Sequence, residues 1–208
     1  MADVGKEGRT NQKRRTRKAL LEAASRLMRE GRDPTLEEVA ETALVSRATA
    51  YRYFPGVEPL LIEAALDVAM PGPELFAGDP GTDPADRVLR ADAAVQDMVR
   101  SNETALRRML IHALQRSLGD EGAEPVRQNR RTPLIEAALA PIRSRLEGPP
   151  FDRLTRTLAL IVGTESTIVF KDVLQLSDAE AGDARRWAIE VLIGAALGED
   201  GQHPAPSD

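Results

Sequence analysis

The side chains that most often hold metal ions are scarce in this chain, which has no cysteine and only two histidines, His112 and His203. The lack of cysteine excludes a disulfide framework and a cysteine metal site, and nothing indicates an oxidising compartment. The chain also lacks an apolar run long enough to cross a membrane, and no signal-peptide core follows the charged amino terminus. We therefore expect a cytoplasmic protein without a membrane partner.

Motifs of enzymatic chemistry are missing as well. The spacings H-E-x-x-H, G-x-S-x-G and that of a phosphate-binding loop do not occur, and the two histidines lie far apart. His112 lies in a mostly apolar segment, where a role in the core or in an interface competes with ligand binding. We expect no catalytic residue, no metal site and no cofactor.

The composition is typical of a globular protein with a sizeable core, since 42% of the 208 residues are hydrophobic and 29% are charged. Apolar residues recur at helical spacing, and no strand alternation competes with them, so the sequence predicts an all-α fold of about nine or ten helices. The expected divisions are a flexible basic arm (1–15), a three-helix domain (16–56), a helical body (57–198) and a disordered tail (199–208).

Capping residues, prolines and apolar spacing place the individual helices. The first helix is expected at 16–30, and Pro141 should kink or break a later one. The segment 119–130, rich in glycine and acidic residues, is typical of a mobile loop. The helices expected in the body span 57–69, 84–100, 103–118, 132–146, 150–174 and 177–197.

The most informative segment is 35–54, which contains two helix-start signals and a short turn. Thr35 and Glu38 stand in the T-x-x-E relation of a capping box, so a short helix begins there. Ser46 can cap a second helix, which Pro55 and Gly56 end. Two short helices joined in this way are typical of a helix-turn-helix, whose second helix lies in the major groove of DNA.

Charge is divided unevenly along the chain. Residues 1–32 contain ten basic and four acidic residues, a net of six positive charges, whereas the whole chain has a net charge of −5, so the remainder carries −11. A basic end on an acidic body suits the neutralisation of DNA phosphates, and a solubilising disordered arm is the alternative. Arg14 and Arg15 are the candidates for DNA contacts in this end.

The pattern A-x-V-S-x-x-T-x-Y-x-Y-F at 43–54, followed by a leucine-bearing helix, resembles the TetR family of transcriptional regulators. The resemblance covers about residues 17–66 and implies that the chain binds double-stranded DNA. In this chain Leu44 stands where many relatives have glycine, and Val57 stands where many have lysine. The resemblance places Thr35 near a phosphate and implies that the residues facing the groove and the phosphates are Arg47, Ala48, Thr49, Tyr51, Arg52 and Tyr53.

The last two expected helices are more apolar than surface helices of a monomer need to be. Small residues form a track on the penultimate helix, which would let another helix approach closely. The resemblance implies that both helices pair with their symmetry mates in a homodimer, and a buried hairpin within one chain is the alternative. The candidate interface residues are Leu158, Ala159, Val162, Gly163, Ser166, Trp187, Val191 and Ala195.

The resemblance also implies that the body holds a small-molecule effector. Thr164 and Glu165 interrupt an apolar run, and a carboxylate there needs solvent, a ligand, an interface hydrogen bond or an arginine partner. Methionines and few polar groups suit a hydrophobic effector. The candidate ligand-binding residues are Phe76, Met98, Met109, His112, Thr164, Glu165, Ile168 and Phe170.

These expectations combine into one functional hypothesis. The sequence indicates a TetR-like DNA-binding transcriptional regulator, a repressor, whose dimer binds a palindromic operator and releases it when an effector enters the body. The alternative is a DNA-independent helical carrier or interaction protein that keeps the helix-turn-helix only as a structural module. The absence of salt-dependent duplex binding would favour that alternative.

Overall fold

A computed structural model describes residues 4–119 and 129–198, with side chains from residue 12 onward except at 116, 117 and 119. Over these residues the chain forms ten α-helices and no strand, so the expected all-α class is confirmed. The helices are α1 (Val4–Arg29), α2 (Leu36–Thr42), α3 (Arg47–Tyr53), α4 (Val57–Ala69), α5 (Pro84–Ser101), α6 (Glu103–Gly119), α7 (Arg131–Ala138), α8 (Pro149–Ile161), α9 (Thr164–Ile168) and α10 (Asp178–Leu197).

The chain divides into two compact units, which we call the first unit (1–69 with 104–126) and the second unit (70–103 with 127–208). The helix α4 and nearly all of α6 therefore belong with the helix-turn-helix, whereas the sequence assigned both to the body. In the first unit α1 packs on α2 and α4, and α2 packs on α3. Its core consists of buried apolar side chains that include Leu20, Leu21, Ala24, Leu27, Val39, Ala50, Phe54 and Leu60.

The helix α1 begins earlier than expected. The sequence placed its start at Thr16 and a flexible arm before it, but the helix already begins at Val4. Lysine, arginine and glutamine are good helix formers, and neither proline nor glycine lies between Arg9 and Glu30, so the helix extends through the basic segment. It ends at Arg29, and Gly31, just beyond that end, has a φ of 76°, which suits a left-handed helix end.

In the second unit α5 packs on α7 and α10, and α8 also packs on α7 and α10. Asp83 caps α5 by accepting a hydrogen bond from the Ala85 amide at 2.9 Å. Ser177 and Glu180 form the expected capping box of α10. The helix α7 ends at Ala138, and a short 3-10 turn, Ala140–Ile142, follows it. Pro141 thus breaks the helix expected over 132–146, because it cannot donate a backbone hydrogen bond.

The long helix expected over 150–174 is interrupted. Val162 and Gly163 are extended, with φ of −81° and 161°, and the short α9 and a π-type turn, Val169–Val173, follow them. Hydroxyl-bearing residues follow the break and compete for backbone hydrogen bonds. The Ser166 hydroxyl accordingly donates to the carbonyl oxygens of Ile161 at 2.6 Å and Gly163 at 2.8 Å.

The expected mobile loop and the expected disordered tail concern residues that the structure describes little or not at all. The loop expected at 119–130 lies largely outside the described residues, and the tail expected at 199–208 lies wholly outside them.

Candidate nucleic-acid interface

The helices α2 and α3 form the two arms of the predicted helix-turn-helix. Leu36, Val39 and Ala50 are buried between them and α1, which leaves the opposite face of α3 in solvent. Phe54, directly after α3, is also buried and ends the helix in the core. On the outward face Arg47, Ala48, Tyr51 and Arg52 are exposed, and Thr49 and Tyr53 are half-buried.

Two side-chain caps fix the starts of these helices as the sequence predicted. Thr35 accepts from the Glu38 amide at 3.3 Å and donates from its own amide to Glu38 Oε2 at 2.8 Å. Ser46 Oγ accepts from the Thr49 amide at 3.1 Å and donates to the Thr49 hydroxyl at 2.9 Å. The hydroxyl groups of Thr35 and Thr49 are thus both in use at the caps, and a phosphate would have to take a place in those hydrogen bonds.

The turn between the arms contains a leucine in the left-handed region. Leu44 has φ of 57°. Its amide donates to the Glu41 carbonyl at 3.0 Å, and the Val45 amide donates to the Ala40 carbonyl at 2.9 Å, which is the Schellman pattern of a helix end. A left-handed leucine costs roughly 1–2 kcal/mol. Its side chain is 93% exposed, so packing within the chain does not offset that cost.

The central residue of the outward face, Tyr51, is tied to the preceding helix. Its hydroxyl donates to Glu37 Oε1 at 2.9 Å. A hydrogen bond from the backbone amide of Glu37 and that from Tyr51 lower the pKa of this carboxyl, and the nearby Arg47 contributes. The hydrogen bond and the negative charge of Glu37 raise the pKa of Tyr51, so the phenol keeps its proton. Sequence reasoning did not single out Glu37.

The basic residues of α1 face in two directions. Arg14 and Arg15 are exposed, as a DNA contact requires. Arg17 points inward, donates from Nε to Glu63 Oε1 at 3.2 Å, pairs with the second oxygen of that carboxylate, and lies over the Phe54 ring at 4.4 Å. Arg17 therefore joins α1 to α4 and to the residue after α3, and it is not one of the cations available to phosphates.

The comparison with known protein families agrees with this geometry. The family model described as bacterial regulatory proteins, tetR family, matches residues 20–64, which extend from α1 into α4 and include all of α2 and α3. Residues 20–64 are therefore a DNA-binding domain of the tetR-family type. The match supports a DNA-binding regulator of transcription with a helix-turn-helix. No curated protein and no solved structure matches the chain.

The effector residues predicted for this regulator are divided between the two units. Met109 and His112 are half-buried on α6 in the first unit, and the other six lie in the second unit. Phe76 is covered by the Arg87 guanidinium, 4.4 Å from its ring, and Phe170 lies 5.7 Å from the Arg185 guanidinium. Thr164 is buried, whereas Met98, Glu165 and Ile168 are half-buried.

Glu165 has an arginine partner, which the sequence considered as an alternative to a ligand. Arg131 Nη2 donates to Glu165 Oε2 at 2.7 Å, and Arg131 Nη1 donates to the Ala159 carbonyl at 2.9 Å. A Cβ atom at Gly163 would lie 2.5 Å from Arg131 Nη1, so only glycine leaves room for this arrangement. Gly163 thus serves a contact within the chain.

The buried polar side chains of the second unit form a network that sequence reasoning missed. Arg185 Nε donates to Asp92 Oδ2 at 2.9 Å, Gln96 donates to Asp92 Oδ1 at 3.2 Å, and Thr167 donates to Gln96 Oε1 at 2.8 Å. Burial raises the pKa of Asp92, and Arg185 opposes that shift. Asp92 and Gln96 stand at helical spacing with Val88, Val95 and Val99, so the sequence already places these two polar residues on an apolar helix face. That position was the signal that could have indicated a buried polar network.

The predicted dimer residues are only partly accessible. Leu158, Val162 and Gly163 are buried within the single chain and offer little surface to a second copy. Ala159 and Ser166 are half-buried. Trp187 is 67% and Val191 40% exposed on α10, where Ala195 is exposed too, and Leu160 is 74% exposed on α8.

Among the described residues no group of His, Asp and Glu side chains is arranged as a metal site. No helix in the described part of the chain is both long and apolar enough to cross a membrane.

Proposed function

We propose that this TetR-family regulator is a repressor that binds a palindromic operator as a homodimer and releases it when a hydrophobic small molecule binds the second unit. The observation that carries the proposal is the outward face of α3. It presents Arg47, Tyr51 and Arg52 to solvent from a helix that Ser46 caps, whose other face packs through Ala50 and whose carboxyl end leads into the buried Phe54. A rigid, exposed recognition helix is what direct readout in the major groove requires.

The other predicted DNA contacts fit the same surface. Ala48 is small enough to touch a thymine methyl group, and Thr35 lies at the start of α2, where a phosphate meets the positive end of the helix dipole. Arg14 and Arg15 supply exposed positive charge on α1. Phosphate contacts of this kind set affinity and register, whereas the α3 side chains specify the sequence.

Dimerisation is proposed through the exposed faces of α8 and α10. Leu160, Trp187 and Val191 are large apolar side chains left in solvent on two helices that pack together. Exposed apolar surface of this kind is typical of an interface, and a two-fold dimer would present two recognition helices. Two such helices match the two halves of a palindrome.

The effector is proposed to bind in the second unit near the interrupted helix. Thr164, Glu165 and Ile168 lie on α9, between the break at Val162 and the π-type turn, and such irregular helical segments are frequent at functional sites. The Arg131–Glu165 ion pair, half exposed, could exchange partners with a polar group on an otherwise apolar ligand. A ligand can release the operator only if it binds the DNA-incompetent state more tightly.

Selection of duplexes from fragmented genomic DNA, followed by gel-shift titration, tests DNA recognition. Arg47→Gln should weaken the selected operator by about 1–3 kcal/mol. Arg145→Gln is the matched control, since it removes the same charge from an exposed residue of the second unit. If both variants lose the same operator affinity, Arg47 contributes only its positive charge. If the wild-type protein selects no sequence, the proposal is contradicted.

Sedimentation and thermal-shift measurements test the remaining parts. Trp187→Glu should convert a dimer to monomers, whereas Leu118→Glu, an equally drastic change at an exposed leucine of α6, should not. Compounds from a lipophilic library that raise the melting temperature should also release the operator. If Glu165→Gln leaves both the affinity and the release by every active compound unchanged, the effector site lies elsewhere.

A further inference from the structure

We infer that Glu37 and Tyr51 together form a hydrogen-bond acceptor that selects adenine or cytosine, the bases with an exocyclic amino group, at one operator position. The inference rests on the proposed operator binding by α3 and extends it to the base that Tyr51 recognises. It is based on the 2.9 Å hydrogen bond from the hydroxyl of the exposed Tyr51 on α3 to Oε1 of the half-buried Glu37 on α2.

The hydrogen bond determines what the phenol can still do. A tyrosine hydroxyl has one proton to donate and lone pairs with which to accept. Because the proton points at Glu37, the phenolic oxygen that remains toward the groove is an acceptor only. An ionised carboxylate has no donor either, so the Glu37 oxygens add to the same acceptor surface.

The charges around Glu37 keep it ionised and oriented. The amide at its own position in the first turn of α2 and the Tyr51 hydroxyl both favour the carboxylate form and lower its pKa. Arg47, on the first turn of α3, contributes a positive charge. The acceptor character of the pair therefore persists at neutral pH.

Because the pair can only accept hydrogen bonds, it should prefer bases whose edge carries a donor. In the major groove adenine presents the N6 amino group and cytosine the N4 amino group, whereas guanine O6 and thymine O4 are acceptors. If the Glu37–Tyr51 pair faced guanine O6 or thymine O4, two acceptors would meet and no hydrogen bond could form between them. Polar groups left unpaired at a dehydrated contact are unfavourable. A negative carboxylate near DNA is tolerated only where an amino group compensates it, so Glu37 adds discrimination against other bases.

The test is selection from a randomised duplex library with the full-length wild-type chain, Tyr51→Phe and Glu37→Gln. The wild-type operator should contain one position restricted to adenine or cytosine. Tyr51→Phe keeps the ring but loses the acceptor, so it should reduce the preference at that position by on the order of tenfold and leave the others. Glu37→Gln can donate to the phenolic oxygen and free its proton, so guanine or thymine should become accepted there.

A charge-matched control is Glu41→Gln, which removes one exposed negative charge from the same helix without touching Tyr51. It should raise affinity for all duplexes alike and leave the base preference unchanged. If Glu41→Gln changes the preference as Glu37→Gln does, general charge repulsion explains the effect and the inference is overturned.

Base analogues provide a second measurement that does not depend on a protein variant. Replacing the selected adenine by purine, or the selected cytosine by pyrimidin-2-one, removes only the amino group. Wild-type affinity should fall on the order of tenfold, and Tyr51→Phe should not distinguish the two duplexes. Equal wild-type affinity for both duplexes would overturn the inference.

Failure of the inference can be told from failure of the proposed function. If the wild-type chain selects no common sequence, operator binding itself fails, and the inference fails with it. If the wild-type chain selects an operator, and Tyr51→Phe and Glu37→Gln select the same bases as the wild type at every position, only the inference is overturned. Should Glu37→Gln fold poorly, Tyr51→Phe and the base analogues decide alone.

Discussion

The two units bury charged side chains in different ways. In the first unit Arg17 meets the carboxylate of Glu63 and the face of Phe54. In the second unit Arg87 donates to the carbonyl oxygens of Ala138 and Ala137, each at 2.9 Å, in addition to its contact with Asp79.

The difference concerns what the buried arginine holds. Arg17 joins side chains of two helices, so its removal leaves a buried carboxylate without its guanidinium partner. Arg87 holds the carboxyl end of α7 through backbone oxygens that no substitution can remove. We therefore expect the first unit to depend strongly on the Arg17–Glu63 pair, whereas the second unit divides its buried charge between the contacts of Arg87 and the Arg185–Asp92 pair.

Removal of Arg17 should have the largest effect. Arg17→Met removes the guanidinium that meets the buried carboxylate of Glu63, and breaking a buried pair typically costs about 3–5 kcal/mol. The double variant Arg17→Met/Glu63→Leu should regain most of this loss in urea denaturation, because neither charge of the pair is then left in the core. Lys18→Met, which removes an exposed neighbour of Arg17, is the control. An equal loss in the single and double variants would show that packing, and not charge, matters at this site.

A second effect is expected in the second unit, where Gly163→Ala should displace the guanidinium of Arg131 from its hydrogen bonds to Ala159 and Glu165 and cost about 1 kcal/mol. The cost should disappear in an Arg131→Ala background, because the atoms that would collide are then absent. Gly182→Ala on α10, where a Cβ atom meets nothing within 4 Å, should not destabilise the protein. A Gly163→Ala variant of unchanged stability but altered oligomeric state would restore Gly163 to the interface.

The pH dependence of stability distinguishes the buried carboxyl of Asp92. Its pKa is raised, mainly by burial, so the folded state holds the proton more tightly than the unfolded state. The stability that Asp92 contributes is therefore present below the ordinary aspartate pKa and is lost as the pH rises through the raised value. The free energy of unfolding of the wild type minus that of Asp92→Asn should fall with rising pH, by at most about 1.4 kcal/mol per pH unit. If this difference stays constant as the pH rises above the ordinary aspartate pKa, the prediction is contradicted.

The smallest effect is expected at Leu44. Glycine removes the cost of a left-handed side chain but makes the unfolded chain more flexible, so Leu44→Gly should stabilise by up to about 1 kcal/mol. Leu44→Ala keeps a Cβ atom and should gain nothing by comparison. Equal melting temperatures for the two variants would mean that the turn relaxes around the side chain.

The helix-turn-helix was largely predictable because its signals are local. Thr35 with Glu38, and Ser46 with Thr49, lie three residues apart, and each pair forms the cap that the sequence indicated. The buried position of Arg17 escaped prediction although it stands at helical spacing with Leu20, Leu21 and Ala24, because it was counted among the basic residues of 1–32 that suit DNA phosphates. Its partner, Glu63, lies 46 residues away.

In the second unit, too, the decisive contacts join residues that are far apart in sequence. Asp92 and Arg185 are separated by 93 residues, and Arg131 and Glu165 by 34. Apolar spacing indicated helices there, but it could not show that the segment 150–174 would break at Val162. The break depends on Arg131 and on the hydroxyl of Ser166, which bond the carbonyl groups near it. Such contacts become visible only once the fold is known.

The π-type turn Val169–Val173 has a consequence for local opening. The Leu174 amide donates to the Val169 carbonyl at 3.0 Å and the Leu176 amide to the Phe170 carbonyl at 2.9 Å, while residues 171–175 are exposed. Opening this segment breaks few buried contacts, whereas opening α5 would expose Val88, Ala91 and Val95. Amide protons at 171–176 should therefore exchange with deuterium in solvent well before those of α5, which makes this turn the place where the second unit unfolds first.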